Sequence, residues 1–267
     1  MQDRVHQLVE ALASTEHFVR IGAAQRLREQ AAHSPHAHTL ATLVALAALE
    51  DARPNALAQG ARLASALHLT SAAPRLRALC ASKSAAVRVR KAAAAALGHL
   101  ADPLALEALE VLRHHNAPMV RRVAVEAIGR LELPACFEPL ADALTDPAWQ
   151  VRLDAAVGLG AMCKPQAQGA FEVMLGVVED EPHSPCAERM LRAMTELACC
   201  DEGLRKQAIA LLQRHLVKWE VIPTARAAAR GLGELRAQEA AGVLREALDN
   251  APSSVAEQAW WSLRTIK

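Results

Sequence analysis

Tyrosine is absent from this chain of 267 residues, and phenylalanine occurs three times. Aromatics make up 3% of the residues while 52% are hydrophobic, so the apolar content rests on Ala, Leu and Val. A sheet-built core draws on β-branched and aromatic side chains, whereas Ala and Leu are the strongest helix formers. The shortage therefore argues against a β-protein and for an all-α chain whose helices approach through small side chains. So high an apolar fraction also excludes a disordered chain.

An excess of charge is missing too. Thirty Lys and Arg against 29 Asp and Glu leave a net charge of +1. No overall field then draws the protein to nucleic acid or to an anionic membrane. The most apolar run, Leu40 to Leu49, is about half the roughly 20 residues that a membrane span requires. No apolar signal-peptide core follows Met1-Gln2-Asp3-Arg4. Cys80, Cys136, Cys163, Cys186, Cys199 and Cys200 include no Cys-x-x-Cys pair. They read as small core hydrophobes, with Cys199-Cys200 as buried neutral thiols, in a reducing cytoplasm. Gly-x-Ser-x-Gly, a phosphate-binding glycine loop and His-Glu-x-x-His are all lacking.

What the chain does contain is a repeat, the first thing to seek in a sequence of this kind. VRKAAAAALGHL (Val89 to Leu100), VRRVAVEAIGRL (Val120 to Leu131) and VRLDAAVGLGAM (Val151 to Met162) align without a gap. Gly98, Gly129 and Gly160 fall 31 residues apart, as do Arg90, Arg121 and Arg152. Weaker copies are AQGARLASALHL from Ala58, with His68-Leu69 set against His99-Leu100, and VRIGAAQRLREQ from Val19. Three more begin at Cys186, Thr224 and Val255. A second amphipathic stretch precedes each copy, as in Leu104 to Arg113, Ala135 to Leu144, Leu204 to Leu216 and Ala240 to Leu248. Breaks fall at Pro54, Pro74, Pro103, Pro134, Pro165, Pro223 and Pro252. Asp102-Pro103 and Asp146-Pro147 read as an N-cap followed by a first-turn proline. The count is eight helix pairs in one domain, 1–267: 2–31, 37–69, 71–100, 103–131, 134–162, 166–198, 202–235 and 238–267.

Val-Arg-x-x-Ala at a helix start and Leu/Ile-Gly before its end resemble the HEAT-repeat family, in particular its short bacterial branch named for phycobilisome lyase subunits. The resemblance implies a right-handed α-solenoid of about eight antiparallel helix pairs. The Val-Arg helices would line the concave face and the preceding helices the convex one. One pair cannot bury its apolar stripe alone, so neighbours stack and share a core. With axes roughly 8–10 Å apart, eight pairs would form a curved rod about 70 Å long.

The resemblance also implies a function: a non-catalytic scaffold or adapter for a partner protein, without cofactor. Its alternative is a phycobilin-lyase-like enzyme subunit or chaperone acting on a tetrapyrrole-bearing protein, although no residue here marks bilin chemistry. Deoxyhypusine hydroxylases resemble these repeats and hold iron on His-Glu pairs, but no His in this chain precedes Glu. HEAT-like alkylpurine DNA glycosylases use a basic cleft with aromatics and an acid. Trp149 and Asp154 are the residues to set in those roles, against a near-neutral charge.

Several residues carry a structural reading beside a functional one. The arginines Arg20, Arg90, Arg121 and Arg152 could form an anion track, but they read as paired stems, with Asp146 facing Arg152 from the preceding turn. His33, His36 and His38 could approach a metal, but they read as a solvated loop between the first two pairs. His114-His115 at a helix end complements the helix dipole. Of Trp260 and Trp261 on the last helix, one should pack inward and the other lie exposed or cover the open end.

Counting Val as one, positions three, seven and eleven of each inner helix should point into the groove. These are Lys91, Ala95 and His99, then Arg122, Glu126 and Arg130, then Leu153, Val157 and Ala161. Glu188, Arg192 and Glu196 follow, then Arg226, Arg230 and Glu234. The expected partner-binding residues are Arg122, Glu126, Arg130, Trp149, Leu153, Val157 and Arg192. They would form an apolar strip between charged walls, suited to an acidic and partly apolar protein segment.

Overall fold

The computed structural model describes residues 35–162 and 165–266, apart from the side chain of His36, together with Ala11, Gly22, Ala23, Gln25, Arg26 and Glu29. The rest of the expected pair 2–31, with Arg20, His33 and Cys163, lies outside the described residues.

Fourteen helices have defined bounds, and no strand occurs among the described residues. They are α1 (Pro35–Leu49), α2 (Pro54–Ala66), α3 (Ala73–Ala81), α4 (Val87–Leu100), α5 (Leu106–Arg113), α6 (Pro118–Leu131) and α7 (Phe137–Ala143). The rest are α8 (Trp149–Gly160), α9 (Ala167–Val178), α10 (Ser184–Cys200), α11 (Glu202–Leu216), α12 (Ile222–Glu234), α13 (Ala241–Asn250) and α14 (Ser253–Thr265). Proline begins or closely precedes many of them, where its missing N–H costs nothing.

The chain divides into two compact units, Met1–Leu131 and Glu132–Lys267. In the first, α2, α4 and α6 stack side by side, and α3 packs on α5. In the second, α8, α10, α12 and α14 stack in turn, while α7 packs on α9 and α11 on α13. Each even-numbered helix also packs on the odd-numbered helix before it, which gives the helix-pair stacking of a solenoid within each unit.

The even helices pack through alanine. Ala92, Ala93, Ala94 and Ala96 of α4 are all buried beside Leu97. Larger anchors are Leu76, Leu109, Leu112 and Ile128 in the first unit and Leu140, Leu159, Phe171 and Met174 in the second. Each such side chain stabilises its unit by about 1.5–3 kcal/mol.

The repeating glycine has a direct physical cause. A Cβ on Gly98 would lie 2.7 Å from Cα of Ala127 on α6. On Gly160 it would lie 2.7 Å from Cβ of Ala193 on α10, and on Gly233 2.9 Å from Cβ of Ser262 on α14. No side chain fits at these three crossings.

Three residues past this position the backbone turns left-handed. Ala101 (φ 48°), Glu132 (φ 52°) and Arg236 (φ 49°) follow Gly98, Gly129 and Gly233. The Ala101 and Arg236 amides donate to the carbonyls of Gly98 and Gly233, closing the helix end. His68 (φ 52°) does the same toward Ser65. His68 is therefore the counterpart of Ala101, which corrects its pairing with His99. The second copy carries no glycine at this point, so the linear match slipped by two residues.

Other local expectations are also corrected. Asp102 is no N-cap: α5 starts at Leu106 after a turn, and the Asp102 carboxylate binds Arg77 of α3 at 2.5 Å. Asp146 instead accepts the Ala148 amide at 2.8 Å in a turn that leads into α8. His36 and His38 lie in the first turns of α1 and not in a loop, with His38 exposed. Cys80, Cys136 and Cys186 are buried, but Cys199 and Cys200 are exposed, because α10 runs two residues past the expected end at 198 and carries both thiols beyond the packing.

Candidate interaction face

The arginine repeated near the start of α4, α6 and α8 is turned into loops. Arg152 binds Glu181 through Nε at 2.7 Å and Nη2 at 2.5 Å, and its Nη1 donates to the Asp146 carbonyl at 2.7 Å. The acid that neutralises it is thus Glu181, ahead of α10, and not the expected Asp146 carboxylate. Burial opposes ionisation of Glu181, but hydrogen bonds from Arg152 and from the His183 amide outweigh it and hold the carboxyl below its ordinary pKa. Arg121 donates to the carbonyls of His115 and Asn116 at 3.1 and 3.0 Å. Arg90 Nη2 lies 3.1 Å from His115 Nε2. The Arg90 and Arg152 contacts brace one pair against the next, while Arg121 fastens the turn within its own pair.

The open side of the even helices is what remains for a partner. In the first unit it holds a groove of about 630 Å³. Arg62, Ser65 and Ala66 of α2, His68, then Arg88, Lys91, Ala92, Ala95, Ala96 and His99 of α4, and Val123 and Glu126 of α6 line it. Glu126 pairs with Arg130 at 2.7 Å, and Arg130 Nη1 lies 3.2 Å from His99 Nε2. Burial first, and Arg130 second, lower the His99 pKa, so its ring is neutral at pH 7. Arg122 is half-buried on the same helix as Glu126 and Arg130.

In the second unit, α8 presents Trp149 and Leu153 half-buried and Val157 42% exposed. The Trp149 ring stacks on His183, with centroids 5.9 Å apart and planes 15° from parallel. Arg192 of α10 is exposed. Glu196 pairs with Arg189 at 2.9 Å, and Glu188 stands 4.0 Å from Arg226. Arg226, Arg230 and Glu234 of α12 are exposed. Of the expected residues, Arg122, Glu126 and Arg130 thus belong to the first unit, and Trp149, Leu153, Val157 and Arg192 to the second.

Asp154 is 8% exposed, too enclosed to meet a nucleobase. Among the described residues no three His, Cys, Asp or Glu gather as metal ligands. No described helix is long and apolar enough to cross a membrane. On α14, Trp260 and Trp261 are 40% and 54% exposed, so neither packs inward as expected. They meet edge to face at 4.8 Å, and the Arg264 guanidinium covers Trp260 at 4.7 Å.

Arg62 and Arg88 escaped the position count. Arg88 lies one helical turn before Lys91, so extending the stripe backwards reaches it. Arg62 takes position seven once His68 is matched to Ala101.

Two rows of helices, with small residues at each crossing and arginines tied into the loops, define an all-α repeat protein. The chain belongs to the HEAT-repeat family: HEAT repeats match residues 107–195, and the PBS lyase HEAT-like repeat matches 89–113 and 224–250. An engineered protein has a similar fold at a TM-score of 0.63 and 20% identity, over 98% of this chain and 78% of its own. The Escherichia coli protein YibA is similar at 0.65 and 18% identity, over 97% and 92%. Human deoxyhypusine hydroxylase aligns at 0.40 and 18% identity, over 99% and 96%, a likeness too loose to carry an argument. No curated protein matches the chain in sequence.

Proposed function

We propose that this repeat scaffold holds a partner protein along the open face of its even-numbered helices. The observation that carries this reading is the exposure pattern of that face. Positions three, seven and eleven of α4, α6, α8, α10 and α12 are all half-buried or exposed, while the alanines and leucines between them are buried. In the second unit, Glu188, Arg192 and Glu196 of α10 bring charge to the helix that packs beside Leu153 and Val157 of α8. Such a mixture of an apolar centre and a charged rim suits recognition of another protein more than it suits bond chemistry. In the second unit the partner segment would lie over Trp149, Leu153 and Val157, with Arg192 orienting its acidic groups.

Capture from native lysate, followed by mass spectrometry, tests this with wild type and Val157→Glu side by side. The expected outcome is a partner held by wild type and lost from the variant, with equal melting temperatures. Equal recovery on both proteins removes the second-unit strip from the site.

The matches to the PBS lyase HEAT-like repeat favour a second reading, an enzyme subunit or chaperone for a tetrapyrrole-bearing protein. Bilin-dependent colour in a co-expressed acceptor, absent without this chain, would decide for it.

A further inference from the structure

The first-unit groove gathers three cations that no described acid neutralises. Nearby arginines are matched by acids: Arg53 with Asp51, Arg75 with Glu50, Arg77 with Asp102 and Arg113 with Glu110. Arg62, Arg88 and Lys91 form no ion pair among the described residues, yet all three converge on one cavity from two adjacent helices. Glu126, the one acid in the lining, is already bound by Arg130. His99 contributes no charge at neutral pH. The groove therefore keeps a local positive potential in a chain whose net charge is +1.

Its floor narrows the ligand class. Ala66 and Ala95 present methyl groups over the buried Ala92 and Ala96, so a polypeptide backbone with small side chains can lie close. No Phe, Tyr or Trp lines the groove, so it lacks the large stacking platforms on which unpaired bases are held.

We infer that the α2–α4–α6 groove is a docking site for an acidic peptide segment of a partner protein, its carboxylates paired with Arg62, Arg88 and Lys91 and its small side chains laid on the alanine floor. This inference rests on the scaffold reading and assigns part of the partner to the first unit. Rim-exposed pairs of this kind give orientation and fast association that salt screens.

Fluorescence anisotropy with a fluorescein-labelled peptide of alternating glutamate and alanine provides the test. Wild type should bind it at low salt and lose it as salt rises. Arg88→Glu/Lys91→Glu on α4, and independently Arg62→Glu on α2, should each weaken binding by roughly tenfold or more. Melting temperatures should stay at the wild-type value, because these side chains are not buried. Arg226→Glu in the second unit should bind as wild type does. Failure of wild type to bind the peptide, equal affinity in the groove variants, or an equal loss in Arg226→Glu overturns the inference. Tighter binding of a length-matched oligothymidylate also overturns it, in favour of nucleic acid. Partner capture that depends on Val157 would survive any of these results, so the two proposals fail separately.

Discussion

Arg152 at the start of α8 grips Glu181, 29 residues further along the chain, with Nη2 to Oε1 at 2.5 Å and the Glu181 side chain only 3% exposed. The same guanidinium donates to the Asp146 carbonyl, so one side chain ties the turn before α8 to the segment before α10. Glu181→Ala leaves a cation enclosed without its acid, and breaking such a pair costs about 3–5 kcal/mol. Urea unfolding followed by circular dichroism should show a loss in that range. A change under about 1 kcal/mol would mean that the pair behaves as a surface ion pair.

Stability should decline on acidification in two windows. His215 of α11 is buried, with Nε2 3.4 Å from Glu179, and burial is the main cause that lowers its pKa from the ordinary 6.5. The unfolded chain gains a proton there before the folded one does, so stability falls as pH drops through 6.5 toward the folded value. Glu181 acts lower. Its folded pKa lies below the ordinary 4.5, so its contribution is complete above that value and is lost as pH falls through the folded one. Melting curves between pH 7 and 3 should resolve both limbs, and His215→Gln should flatten the upper limb alone.

Gly98→Val should destabilise the protein strongly while Glu126→Ala should not. The new side chain would meet Cα of Ala127, backbone that cannot move aside without parting α4 from α6. Overpacking of this kind costs about 1–3 kcal/mol. Glu126 is surface-facing, and its pair with Arg130 is worth about 0.5 kcal/mol or less. Equal melting temperatures would show that the crossing is looser than its geometry.

Ala101→Gly should raise the melting temperature. Ala101 holds a left-handed backbone at φ 48°, which costs an L-residue about 1–2 kcal/mol and glycine almost nothing. The greater freedom of glycine in the unfolded chain takes back about 0.4–1 kcal/mol. The net gain is then about 0.5–1 kcal/mol, readable by calorimetry. A lower melting temperature would mean that the Ala101 methyl contributes packing that the backbone conformation hides.

Much of the fold could be read along the chain because its causes are local or periodic. Spacing of apolar residues at helical intervals marks each helix, prolines mark the breaks, and glycines such as Gly98 and Gly160 recur where one even helix meets the next within a unit. The register of α4 through α12 followed from the same period, which is why the open face could be counted out before its surroundings were known. What could not be read depends on the meeting of distant segments. Asp146 and Glu181 are both acids near a helix start, and only the folding back of the segment after α9 makes Glu181 the partner of Arg152. Cys199 and Cys200 continue an apolar pattern, yet α10 carries them past the last layer that could cover them. Arg62, Arg88 and Lys91 look like any other cations in the sequence; they form a charged groove because no described carboxylate pairs with them, and that depends on where the described acids of the unit end up.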